Sequence, residues 1–223
     1  MVNTITTTPK AEIVSDRWVK ATWDEFVAFA DDPAHAEMAR FYYDHDTMRI
    51  EMAALGPLHG RNNSVVYDVI SLYAIAKNIR ILKLTNTSFR KTGLQECQPD
   101  CSFYIGDRFL LTPQNNSSID LDQFEIPHLV VEIATTSLND DLGRKRILYE
   151  QLGVKEYWVV NGGESQVYAF EMSGGRSGTI KESQVLVGLS IATVEEALKR
   201  SLTEDDSAIA RWLLQTFNRP VGK

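Results

Sequence analysis

Three charged residues stand where their surroundings are apolar. In "HLVVEIATTS", residues 128–137, Glu132 interrupts a run of Leu129, Val130, Val131 and Ile133. An ionised carboxylate buried there loses much of its hydration unless something compensates it. Asp100 follows Pro99 at the head of the apolar stretch "CSFYI", and proline pins the backbone just ahead of it. Lys145 lies in "DLGRKRILYEQLGV". Stepping ~100° per residue from Leu142 puts Lys145 at roughly −60°, between Tyr149 at roughly −20° and Leu152 and Leu148 at roughly −80° and −120°. Arg144, Arg146, Glu150 and Gln151 fall on other faces. A lysine inside a core-facing stripe either snorkels outward or meets a carboxylate. A buried carboxylate and ammonium make a structural ion pair or a site of perturbed acid–base chemistry, and both readings stand at this level.

The elements that would position these residues follow from patterning. "HLVVEIATT" reads as a strand with Leu129, Val131 and Ile133 on one face and Val130, Glu132 and Ala134 on the other, a central strand covered on both sides. A helix from about Asp140 to Leu152 follows at once and packs back on the sheet. In "CSFYI" Cys101, Phe103 and Ile105 share one face, and Asp100, Ser102 and Tyr104 the other. Upstream, Thr22 and Glu25 have capping-box spacing for a short helix. A hairpin spans 40–43 and 48–54 around "DHDT". A long helix starts at Pro57, with Val66, Val69, Ile70 and Tyr73 as its stripe. His59 shares that face, because 59, 66 and 73 are spaced seven apart.

"RILKL", "TSFRK" and "LQE" read as short strands, and 106–127 as a polar excursion. "EYWVV", "QVYAFEM" and "QVLVGLSI" read as strands of a closing meander. Two C-terminal helices follow, the last carrying Ile209, Trp212, Leu213 and Phe217 to pack on the core or on a partner. The order predicts an α/β (α+β) domain over residues 16–223, with a central mixed sheet, an N-terminal hairpin and C-terminal helices. Residues 1–15 read as a mobile terminus.

The formal net charge of −7 does not advertise nucleic-acid binding, so any such site must be a local basic patch. "GRKR" is a candidate patch or a solvated helix face. The opening residues lack the basic and apolar regions of a signal peptide, and no long apolar run would span a membrane. A reducing cytoplasmic compartment is the default expectation, with Cys97 and Cys101 as free thiols. "SGGRSG" reads as a hairpin turn rather than a phosphate cradle.

The ordered set of Pro99-Asp100, "VVEIATTS" around Glu132, and "DLGRKRILYEQLGVKEYWVVN" from Asp141 resembles a bacterial endonuclease family of the PD-(D/E)XK, restriction-endonuclease-like superfamily. "GPLHGRNN" before the long helix fits it too, and the likeness spans roughly residues 40–170. It implies a restriction-endonuclease-like fold and a hydrolase that cuts DNA phosphodiesters, often as a homodimer. It also implies Mg²⁺ or Mn²⁺ held by Asp100, Glu132 and the backbone carbonyl of Ile133. Position 134 is alanine where the superfamily motif has lysine. The resemblance implies that Lys145 on the helix replaces it, with Asp141 one turn earlier holding it or capping the helix. His59 matches the family's histidine. The position for an additional acid aligns with Tyr43, and Glu51 is the nearest substitute. The rival reading is the same fold without catalysis, binding nucleic acid or protein; a weaker one is hydrolysis of a smaller phosphodiester.

Overall fold

The apolar run around Glu132 is strand β9 (Leu129–Ala134), and all six of its residues are buried. It is central: β10 (Glu156–Asn161) pairs with it in parallel and β7 (Cys101–Ile105) antiparallel. The structure, a computed structural model, describes residues 16–36, 39–52, 56–107 and 112–218. The terminus read as mobile, 1–15, lies outside the described residues, as do 53 and 54 of the second hairpin strand and 108–111 of the polar excursion.

The α+β class and the flanking helices are as expected, but the described residues form two mixed sheets of six strands each. The sheet holding β9 runs β12 (Arg176–Thr179), β11 (Gln166–Ser173), β10, β9, β7, β4 (Ile81–Thr85). The other runs β1 (Trp18–Lys20), β3 (Thr47–Met52), β2 (Ala39–Asp44), β6 (Gln95–Cys97), β5 (Phe89–Lys91), β8 (Ile119–Asp120). The predicted hairpin is β2–β3, and it becomes the middle of this second sheet because β2 also pairs with β6.

Each face of β9 meets its own core. Leu129, Val131 and Ile133 pack with Cys101 and Phe103 against Val66, Val69, Ile70 and Tyr73 of α3 (Pro57–Ala76). That core continues to α6 (Ile191–Arg200) and α7 (Asp206–Phe217), whose Ile209, Leu213 and Phe217 are buried in it. Val130 and Ala134 face a second core with Tyr42, Phe89, Cys97, Leu148 and Tyr149. Burying each such side chain contributes roughly 1.5–3 kcal/mol, so β9 is pinned from both sides. The capping box forms as read: the Thr22 side chain accepts from the Glu25 N–H and the Glu25 carboxylate from the Thr22 N–H, opening α1 (Trp23–Ala30) ahead of α2 (Pro33–Ala36).

Two local readings are corrected. The helix after β9 starts earlier than predicted and is not uniform. It comprises α4 (Leu138–Asp140), a π-helical turn (Asp141–Lys145) and α5 (Arg146–Leu152), stopped by Gly153 at φ 88°. "QVLVGLSI" is not a strand. The Glu156 carboxylate accepts the backbone N–H groups of Gln184 and Val185, which a strand would give to a neighbour. Gly188, at φ 93°, then turns the chain so that Leu186 and Leu189 enter the core. The meander's last strand is β12 instead, joined to β11 through Gly174 and Gly175, so "SGGRSG" does make a hairpin. Among the described residues no helix is long and apolar enough to cross a membrane.

Candidate active site

Antiparallel pairing of β7 with β9 sets Cys101 opposite Val131. One step further along this register Asp100 comes opposite Glu132. There the ladder opens: the Ile133 N–H donates to Asp100 Oδ2 at 2.7 Å, and the Asp100 N–H points at Glu132 Oε2 at 3.4 Å. Both carboxylates are buried in the same spot, at the floor of a cleft of about 180 Å³.

The π-helical turn delivers Lys145, whose side chain is 1 % exposed. Its ammonium is 2.6 Å from Glu51 Oε2, 2.9 Å from Asp141 Oδ1 and 3.9 Å from Glu132 Oε1. Lys145 thus turns inward, and its nearest partners are Glu51 and Asp141 rather than Glu132. Asp141 Oδ2 accepts from the Ser137 hydroxyl at 2.6 Å, and the Tyr157 hydroxyl donates to the Asp141 carbonyl at 3.1 Å. Asp141 therefore holds the lysine. Glu51, from β3, stands on the site face of the hairpin. His59, from the first turn of α3, puts Nε2 3.0 Å from Asp100 Oδ1. Tyr43 is elsewhere: it packs with Trp23 and Phe26 and donates to the Ala21 carbonyl. Alternation along β2 turns Tyr43 and Phe41 to α1, and Arg40 and Tyr42 to the site.

Sequence reasoning missed Arg40 and Tyr42, although that alternation was there to read. It placed Tyr149 in the inward stripe without a role. Arg40 lies 2.6 Å from Asp100 Oδ1 and 3.9 Å from Glu132 Oε2. The Tyr149 hydroxyl donates to Glu132 Oε1 at 2.6 Å, and the Tyr42 hydroxyl, 3.0 Å from the Gln98 carbonyl, lies 3.2 Å from the same carboxylate oxygen. Tyr149→Phe is expected to remove the shorter bond, to cost about 1–2 kcal/mol in urea denaturation and to weaken any metal binding; unchanged stability and affinity would show that this hydroxyl holds nothing. The three basic side chains of "GRKR" go to different places. Arg144 packs over Trp18 and reaches Thr47 and Asp44, Lys145 is buried, and Arg146 lies over Phe170.

Charge explains the protonation states. Four buried carboxylates (Glu51, Asp100, Glu132, Asp141) face three buried cations (Arg40, Arg49, Lys145). Burial pushes Asp100 up, but His59 and Arg40 outweigh it and hold its carboxyl below the ordinary range. Glu51 likewise ends low, because Lys145 and Arg49 outweigh its burial. Glu132 goes the other way. Burial, with Asp100 and Asp141 adding repulsion, lifts it to about 8 against the pull of Lys145 and Arg40. Burial raises Asp141 as well, against Lys145 and the Ser137 hydroxyl, so the excess negative charge is felt at both Glu132 and Asp141. Lys145 is pulled down by burial, but Glu132, Asp141 and Glu51 hold it well above its usual value, so it stays an ammonium.

Among the described residues no group of three or more His, Cys, Asp or Glu side chains is arranged to hold a metal ion. Two carboxylates do converge on one cationic point. Asp100 Oδ1 is buried with no N–H aligned on it as a hydrogen bond, and Glu132 Oε2 faces the same guanidinium. With the Ile133 carbonyl this all-oxygen set suits a hard divalent ion.

Two carboxylates and an ammonium thus meet where the β7–β9 ladder opens, in a mixed sheet flanked by helices. The solved structure of a putative nuclease belonging to DUF820 from Anabaena variabilis ATCC 29413 matches with a TM-score of 0.55 at 19 % identity, over 80 % of this chain and 99 % of that one. The chain belongs to the Uma2 family, described as putative restriction endonuclease, whose profile matches residues 23–210. No curated protein matches it.

Proposed function

We propose that this chain is a divalent-metal-dependent endonuclease that hydrolyses DNA phosphodiester bonds. The observation that carries the reading is the convergence of Asp100 Oδ1 and Glu132 Oε2 on one cation within the cleft that Lys145 also lines. Asp100, Glu132 and the Ile133 carbonyl would hold Mg²⁺ or Mn²⁺. Such an ion supplies Lewis acidity at a phosphoryl oxygen and lowers the pKa of water. The side chains do the rest. Lys145, fixed by Glu51 and Asp141, offers a permanent positive charge to a phosphate at the cleft floor rather than a base. Tyr149 orients Glu132. His59 orients Asp100.

The test is cleavage of supercoiled plasmid by the purified full chain with Mg²⁺ or Mn²⁺, beside Asp100→Asn. Nicking that needs the metal and falls about hundredfold or more in the variant is expected. A folded protein that binds duplex DNA without cutting it would overturn the enzyme reading in favour of a binding module on the same fold.

A further inference from the structure

Each site carboxylate has one oxygen held mainly by the framework and one turned toward Arg40: Asp100 Oδ2 takes the Ile133 N–H and Glu132 Oε1 the Tyr149 hydroxyl. The oxygens facing Arg40 have weaker second neighbours, His59 Nε2 3.0 Å from Asp100 Oδ1 and the Asp100 N–H 3.4 Å from Glu132 Oε2. Asp100 Oδ1 and Glu132 Oε2 face the guanidinium at 2.6 and 3.9 Å, by different nitrogens. An arginine built to hold one carboxylate grips both its oxygens in a planar fork. Arg40 does not. It straddles two carboxylates with one oxygen of each, and Oδ1 carries no aligned hydrogen bond. Its Nη2 is also 3.4 Å from His59 Nε2. The guanidinium stands where the proposed ligand set would place a metal ion.

We infer that Arg40 is a displaceable stand-in for the metal: guanidinium and divalent cation exclude each other at Asp100 Oδ1 and Glu132 Oε2, and a phosphodiester entering the cleft draws the guanidinium off. The inference rests on the metal-site reading above. Arg40 is then a positioning residue whose charge passes from carboxylates to substrate phosphate, so DNA and metal each raise the other's affinity. Without nucleic acid, the buried carboxylates stay compensated and the site resists stray cations.

Calorimetric titration of Mn²⁺ into the full chain tests this, with and without a short phosphorothioate duplex. Arg40→Gln is expected to bind Mn²⁺ at least about fivefold tighter than wild type, with Arg40→Lys between them. The duplex should tighten Mn²⁺ binding to wild type and leave Arg40→Gln nearly unmoved. Equal or weaker Mn²⁺ binding by the variants would make Arg40 a fixed structural partner and overturn the inference. Should Arg40→Gln lose its near-ultraviolet dichroism, Arg40→Lys alone decides by the same comparison. Asp100→Asn separates the two claims. If Mn²⁺ binding depends on Asp100 but ignores Arg40, only this inference falls. If no form binds Mn²⁺, the metal-site reading falls and takes it along.

Discussion

Lys145→Met is expected to abolish plasmid nicking and to lower the melting temperature by on the order of 10 °C. Both effects have one origin. The ammonium is buried and touches Glu51 and Asp141, with Glu132 just beyond at 3.9 Å. Removing one partner of a buried ion cluster leaves the others uncompensated, which typically costs about 3–5 kcal/mol. The same deletion removes the fixed positive charge proposed to stabilise the phosphoryl transition state, worth about a hundredfold or more in rate. Thermal denaturation followed by circular dichroism, with nicking assayed at ~20 °C where the variant is still folded, separates the two. A folded Lys145→Met protein that nicks at the wild-type rate would end the case for this lysine.

Glu132→Gln is expected to lose the same activity and yet gain stability at alkaline pH. The sign follows from the shift. The folded-state carboxyl sits at about 8, above its ordinary 4.5. Its stabilising contribution is therefore fully present below about pH 4.5 and is lost as pH rises through about 8. Over that window the metal-free wild type should shed on the order of 3–5 kcal/mol from this group. Glutamine keeps an oxygen for the Tyr149 hydroxyl and has no proton to lose, so its profile should be flatter. Urea denaturation between pH 5 and 9 in a chelating buffer reads this out. Parallel profiles for the two proteins would show that Glu132 is not the proton-bearing group.

Much of this was legible beforehand because periodicity reports on burial. The two faces of β9, the inward phase of Lys145 and the stripe of α3 follow from which residues avoid water. Pairing between distant strands is not written in that way. Nothing local says that β2 would join β6 and make a second sheet, or that Arg40 would meet Asp100 across a separation of 60 positions. "QVLVGLSI" misled because an apolar run bonded by one buried carboxylate looks the same as one bonded by a neighbouring strand. The position aligned with an additional acid, Tyr43, faces α1, while its neighbour Tyr42 faces the site, because in a strand one position is the other face.

The π-helical turn at Asp141–Lys145 has a consequence for how such a site can change through descent. A π turn is what a helix makes of one residue more than its regular repeat accommodates. Here the helix is held on both sides of that residue. Asp140 is bound by the Trp18 indole and Arg49, and Leu148 and Tyr149 lie in the core. Deleting a single residue within the turn would let a plain α-helix join the two anchored halves with their orientations unchanged, and would reset by about 100° the side chains of the turn itself. Lys145, the last residue of the turn, is among those whose direction the extra residue decides. The angular setting of this lysine thus depends on chain length as much as on side-chain identity. Insertions and deletions here, more than substitutions, are the events that would move its charge into or out of the cleft.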